Sequence, residues 1–189
     1  MAVEVVAATR RLFTRAEYYR MAEAGILGED DRVELIKGEI IQMSPNGRLH
    51  FAFVINLNKL LVLRLGDRAH VSVQGPVALS DDTEPQPDIA VLRLRATPYR
   101  QREAWAEDAL LLIEVADSSL RYDRTTKLRL YAEAGIPEYW IVDCTTKTVE
   151  VYRNPGPEGY RDVASAAGST PLTLQAFPEV ALTPAEIFA

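Results

Sequence analysis

Residues 109–116 read ALLLIEVA, apolar at every position but one. A half-buried strand alternates apolar with polar residues, so a run that is apolar on both parities belongs to a strand covered on both faces. Such a strand needs a layer packed on each side of its sheet, which directs the chain toward a layered α/β architecture. The exception, Glu114, is costly in that setting. An ionised carboxylate there must be paired, protonated or bound to a metal.

The flanking sequence supplies the layers. Thr14-Arg-Ala-Glu17 is a capping box, predicting a helix through Tyr18 and Met21 that stops near Gly25. VELIKGEIIQM (33–43) predicts a hairpin turning at Lys37-Gly38, closed by Pro45 and Gly47. Residues 49–65 are apolar at three- and four-residue spacing and end at Gly66, so they read as a buried helix. HVSVQGPVAL (70–79) and DIAVLRL (88–94) read as strands, followed by an irregular basic stretch. DRTTKLRLYAEAG (123–135) predicts a helix with Asp123 as N-cap and Gly135 as the stop. PEYWIVDC and TVEVYRN predict a second hairpin, TPLTLQAF a last strand, and Thr183-Pro184-Ala-Glu186 a closing turn. The expectation is one α/β (α+β) domain over residues 1–189 with a mixed sheet flanked by helices. Residues 1–13 are expected to form a loose arm.

Composition removes several classes of function. With 21 Lys+Arg against 27 Asp+Glu the formal charge is −6, unsuited to a protein that coats nucleic acid through cationic side chains. Cys144 is the single cysteine, so no intrachain disulfide forms, and two histidines leave a structural zinc site short of ligands. The N-terminal residues lack a long apolar core, and no uninterrupted apolar run reaches the roughly 20 residues that span a bilayer. A cytoplasmic protein without a membrane partner is expected. Ser118-Ser119 lie outside any Gly-x-Ser-x-Gly elbow, and no Gly-rich phosphate loop occurs.

The residues left to do chemistry are few. Asp88 follows Pro87 at the start of a strand, and Glu114 lies 26 residues later in the most apolar one. Two carboxylates at neighbouring strand ends, with the Val115 carbonyl beside one of them, form an oxygen set suited to Mg²⁺ or Mn²⁺. The bland alternative is that Glu114 pairs with a basic neighbour and Asp88 is a turn residue. Positions 123, 127, 130, 131 and 134 share a helix face, which turns Lys127 inward with Leu130 and Tyr131. A lysine so placed can orient a water or stabilise charge on a phosphate; an ordinary Asp123–Lys127 pair accounts for the same spacing. His50 opens the 49–65 helix, where it can act as a base, contact phosphate or simply finish the cap. Glu34 and Glu39 flank the first hairpin turn, and alternation alone does not decide which points inward. Two basic groups, at 93–102 and 121–129, flank these residues in sequence, where a nucleic-acid substrate would need them or where solvated loop charges sit.

The blocks DRVELIKGEIIQMSP, QPDIAV, LLIEVADSSLRYDRTTKLRLYAEAGIPEYWIVD and FPEVALTPAEIF together resemble the Uma family of restriction-endonuclease-like proteins, within the PD-(D/E)XK nuclease superfamily. The resemblance runs in order from about Thr14 to Phe188. It implies a central mixed sheet flanked by helices and Mg²⁺-dependent hydrolysis of phosphodiester bonds. Pro87-Asp88 matches the PD element and Glu114 the acidic position. The lysine two positions on is replaced by Ala116, and Lys127 matches a lysine from the following helix that takes its place. His50 matches a histidine frequent before the first core helix.

The expected function is therefore a DNA endonuclease in which a metal-activated water attacks the phosphodiester. Asp88, Glu114 and the Val115 carbonyl hold the ion, Lys127 orients the water, and His50 and Glu39 support them. A homodimer is expected by analogy with nucleases that cut two strands. Two rivals stand beside it: a degenerate nuclease fold that serves as a binding module, and a metal-dependent hydrolase of a small phosphorylated molecule.

Overall fold

In the computed structural model, which describes residues 9–28, 30–45 and 47–189, the chain opens with helix α1 (Arg15–Glu23). Thr14 and Glu17 exchange hydrogen bonds with each other's backbone N–H, at 3.3 and 3.0 Å, as the capping box predicts. Of the expected arm, residues 1–8 lie outside the described residues, whereas Phe13 donates its N–H to the Gly38 carbonyl at 2.8 Å. Strands β1 (Val33–Ile36) and β2 (Glu39–Gln42) form the predicted hairpin. Lys37 and Gly38 make its turn at φ +49° and +77°, the left-handed values that match the twist of a tight hairpin.

Helix α2 (Arg48–Leu65) follows, and then the strands of the central sheet: β3 (Ala69–Val73), β4 (Ile89–Arg93), β5 (Ala109–Ala116), β6 (Glu138–Asp143), β7 (Thr148–Gly156) and β8 (Gly159–Ala167). These six lie side by side in chain order and pair antiparallel, except that β5 and β6 run parallel. A parallel pair needs a crossover, and the helical segment between β5 and β6 supplies it. Pleating then divides β5 between two cores. Leu111, Ile113 and Val115 pack beneath Phe53, Leu57 and Leu61 of α2. Leu112 and Ala116 face the crossover with Tyr131 and Tyr139, and Glu114 shares their parity. The doubly covered strand is present, with its single charge aimed at the crossover helix.

That crossover differs from its predicted form. It begins at α3 (Leu120–Tyr122) and passes through a widened turn over Asp123–Lys127, where the Leu128 N–H reaches back to the Asp123 carbonyl. It continues as α4 (Leu128–Glu133). Asp123 is thus buried within the helix and not its N-cap. Its carboxylate accepts from the Ser119 hydroxyl at 2.6 Å, a local partner four residues back that competes with the capping role. Widened turns of this kind insert one residue into the helix and recur at functional sites.

Three further expectations are corrected. β3 stops at Val73, because Gln74 takes φ +49° and breaks the extended run. β8 has no counterpart in the strands expected from sequence: it is a mostly exposed edge strand with three alanines and therefore without an apolar alternation to detect. The tail is a hairpin, β9 (Leu172–Leu174) with β10 (Phe177–Leu182), ahead of the capped α5 (Pro184–Ile187). Polar residues interrupt it, yet the stretch from Arg48 to Arg68 is long and apolar enough by length and composition to cross a membrane. Here one face of α2 packs on the sheet, and Asn56 donates to the Ile187 carbonyl of α5 at 2.9 Å. The opposite face exposes Phe51, Ile55 and Leu63.

Candidate active site

A cavity of about 500 Å³ opens where the first hairpin, the start of α2 and the crossover meet the ends of β4 and β5. Glu34, His50, Asp88, Glu114, Asp123 and Lys127 all line it. The sheet register explains the pairing of the two strand carboxylates. Ile89 pairs with Ile113, so Asp88 stands just beyond the end of β4 beside Glu114. The Asp88 carboxylate accepts from the Val115 N–H at 2.9 Å, and the Asp88 N–H approaches Glu114 Oε2 at 3.4 Å. Each strand end thus holds the other's acid.

His50 sits in the first turn of α2 and places Nε2 2.9 Å from Asp88 Oδ1, while its buried Nδ1 makes no hydrogen bond. The helix reaches this close because it starts at Gly47; a β-carbon there would collide with the Asp117 carboxylate. Lys127 projects inward as its helical spacing predicts. Its Nζ lies 3.3 Å from Glu114 Oε1 and 2.6 Å from Glu34 Oε2, and its side chain is only 5% exposed. Tyr131, one turn on, donates its hydroxyl to Glu114 Oε1 at 2.6 Å.

Glu39 stands apart from this group. Cross-strand partners share a face, and the register pairs Glu34 with Ile41 and Ile36 with Glu39. All four side chains therefore point the same way. Glu34 and Ile41 form the cavity wall, whereas Glu39 lies nearer the turn, half exposed and paired with Arg10. The basic stretch at 93–102 is also elsewhere. Arg93 ends β4 at the pole opposite Asp88, Arg95 pairs with Asp108, and Arg102 donates to Glu107 at 2.7 Å. Adjacency in sequence carried those arginines to the wrong end of the strand. Of the second group, Arg121 lines the cavity and Arg124 is bound to Glu150.

The electrostatics are lopsided. Lys127 lies between Glu34 and Glu114, while Asp88 and Asp123 add two more carboxyl groups close to Glu114. Burial raises the Glu114 carboxyl to about 8, Lys127 opposing and Asp88 reinforcing the shift. Burial likewise lifts Asp123 to about 6, against the Ser119 hydrogen bond and Lys127. Lys127 itself is pushed the other way from a buried amine: the burial cost is outweighed by Glu114 and Glu34, which hold it charged. A positive guest would relieve this surplus.

The oxygen set is open to such a guest. A carboxylate offers about four acceptor positions. Asp88 accepts from Gln74 and the Val115 N–H, with His50 Nε2 2.9 Å from its Oδ1; Glu114 accepts from Tyr131 and the Asp88 N–H, with Lys127 Nζ 3.3 Å from its Oε1. Val115 provides a further oxygen. The Ala116 carbonyl accepts from Cys144 on the β6 side, so the Val115 carbonyl turns toward β4. There the register continues to Pro87, which has no N–H to give. Among the described residues no three His, Cys, Asp or Glu side chains form a metal cluster, so any ion held here rests on two carboxylates and this carbonyl.

Glu34, Asp123 and Tyr131 are the members of the site not chosen from sequence. Tyr131 and Asp123 carried a signal, since both lie on the helix face of Lys127. Glu34 carried none that separated it from Glu39.

A mixed sheet that brings two strand-end carboxylates and a helix-borne lysine into one cavity defines a restriction-endonuclease-like fold. The comparisons agree. The chain belongs to the Uma2 family, described as "Putative restriction endonuclease", whose model matches residues 15–185. It is 26% identical over 157 residues to the uncharacterized protein sll1609 of Synechocystis sp., covering 80% of this chain and 86% of that one. The crystal structure of a "putative nuclease belonging to DUF820" from Anabaena variabilis matches with a TM-score of 0.74 at 19% identity, over 93% of this chain and 97% of that one. That likeness shows the shared fold.

Proposed function

We propose that this chain is a divalent-cation-dependent endonuclease that hydrolyses DNA phosphodiester bonds. The observation that carries the reading is the meeting of Asp88, Glu114 and Lys127 in a cavity with more buried acid than base. Asp88, Glu114 and the Val115 carbonyl would hold Mg²⁺ or Mn²⁺, hard ions suited to oxygen donors. Such an ion, when bound, supplies an acidified water and polarises a phosphoryl oxygen. The chain's own groups do the rest. Lys127 presents a fixed ammonium to the charge that develops on the phosphate or to the attacking water. His50, with Nε2 2.9 Å from Asp88 Oδ1, meets the Asp88 carboxylate from outside the oxygen set and restricts its orientation. Arg121, exposed at the rim and free of any ion pair among the described residues, is available to a flanking phosphate. Family membership and a shared nuclease-like fold support the same class.

The test is cleavage of supercoiled and single-stranded DNA with Mg²⁺ or Mn²⁺ by wild type, Glu114→Gln and Asp88→Asn. We expect metal-dependent cutting by the wild type, lost in both variants. Folded wild type that neither cuts DNA nor binds Mn²⁺ in calorimetry would sink the reading in favour of a binding module.

A further inference from the structure

Lys127 reaches the site from a helix, on a stem of four methylenes, and not from the strand that carries Glu114. A lysine stem is flexible and its ammonium is a point charge with three rotatable donors, so a fixed position needs a fixed partner. Ala116, on the same face of β5 as Glu114, supplies only a methyl group. The partner is Glu34. Its Oε2 lies 2.6 Å from Lys127 Nζ, closer than Glu114 at 3.3 Å, and its side chain is 3% exposed. Glu34 is itself held in place. The Gln86 N–H approaches its Oε2 at 3.3 Å and the Tyr122 hydroxyl its Oε1 at 3.4 Å, while the neighbouring Leu35 carbonyl accepts from the Glu84 N–H at 2.7 Å.

This arrangement has a consequence for Glu114. With Glu34 absent, the ammonium has one buried carboxylate left to satisfy it, and the two would close into a direct pair. That pair would occupy the acceptor positions of Glu114 that the proposed cation needs. Glu34 draws the ammonium aside while keeping it within reach of the reacting group.

We infer that Glu34 is the positioning residue of the site, holding Lys127 in place from the first hairpin and keeping it from closing onto Glu114. The inference rests on the nuclease reading above and extends it to a residue outside the catalytic motif. It makes the hairpin a working part of the site: β1 supplies the anchor that a strand-borne lysine would not need.

The experiment is a double-mutant cycle with a second readout. Cutting is measured for wild type, Glu34→Gln, Lys127→Met, the double variant and Glu34→Asp. In the metal-free proteins, the ¹⁵N–¹H signal of the Lys127 ammonium is followed by NMR. Glu34→Gln should lower kcat as far as Lys127→Met does, about 10²–10³-fold, with KM changed only a few-fold. The double variant should be no worse than either single one, because both remove the same positioned charge. The ammonium signal, slow to exchange in wild type, should shift in Glu34→Gln, where the ammonium re-pairs with Glu114, and return toward its wild-type position with Glu34→Asp, as should part of kcat.

Wild-type kcat in Glu34→Gln, losses that multiply in the double variant, or an unaltered ammonium signal would each overturn the inference while leaving the nuclease reading intact. Absence of metal-dependent cutting by folded wild type overturns that reading and this one together. Should Glu34→Gln fail to fold, the double variant removes the acid together with the ammonium it faces and is compared with Lys127→Met alone. Equal rates support the inference and a further loss overturns it.

Discussion

Both ends of β5 bury a carboxylate, and the two are treated differently. Asp108, just before the strand, is fully buried, yet Arg95 donates to one oxygen, the Trp105 N–H to the other at 2.9 Å, and Arg102 stands 4.0 Å away. Glu114, near the other end, shares one lysine with Glu34 and has Asp88 and Asp123 close enough to oppose its ionisation. The first end is charge-balanced, the arrangement of a residue that stabilises a fold. The second holds an excess of acid beside a cavity, the arrangement of a site prepared for something positive. Burial of an acid is therefore not what marks the candidate site; the mismatch in its surroundings is.

Substitution at each end should break the comparison in opposite directions. Glu114→Gln should reduce cutting about 10²–10³-fold or more, with stability unchanged or raised, because a carboxyl crowded by other acids is removed. Asp108→Ala should leave kcat near the wild-type value and cost roughly 2–3 kcal/mol, less than a fully buried pair because Arg95 keeps some access to water. Cleavage assays beside urea unfolding give both numbers. Lost stability in Glu114→Gln, or lost activity with intact stability in Asp108→Ala, would undo the contrast.

Acidity sharpens the difference next. The folded values of Glu114, about 8, and Asp123, about 6, both lie above those of the unfolded chain. Between about pH 4 and pH 8 the native state therefore keeps protons that the unfolded state has released. The sign follows: this contribution is fully present below about pH 4 and is lost as pH rises to 8. Metal-free protein should become less stable from pH 5 to pH 8 in urea titrations. Glu114→Gln should flatten that slope, and Mn²⁺ should offset it by favouring the ionised carboxylates. A stability that is level or climbs over this range would count against the acid surplus.

Much of this site could be read from local rules. Strand parity and helical spacing, properties of short segments, single out Asp88, Glu114 and Lys127 with structural alternatives open, the family resemblance chooses among them, and the doubly apolar β5 fixes the sheet around them. What could not be read depends on distant chain. The choice between Glu34 and Glu39 turns on where Arg10 and Lys127 lie, although both acids share one face of the hairpin. The arginines at 93–102 are close to Asp88 in sequence and remote in space, because β4 carries the chain across the sheet between them. β8 leaves no signature in the sequence because a mostly exposed edge strand needs no apolar alternation.

Smaller effects test where the candidate site stops. Arg121→Ala should raise KM for DNA several-fold and reduce the salt slope of binding by about one, with kcat unchanged, since a rim arginine contributes a phosphate contact and no chemistry. Glu39→Ala should do less still. Its pair with Arg10 is exposed, and such pairs are worth at most about 1 kcal/mol. Cutting should match wild type at every metal concentration, and the unfolding midpoint should barely move. The result matters because Glu39 and Glu34 point from the same face of one hairpin. If Glu39→Ala instead lowered kcat as Glu34→Gln is expected to, the whole face would belong to the site. The boundary between a positioning acid and a solvated one, which rests on their different partners, would then have to move toward the turn.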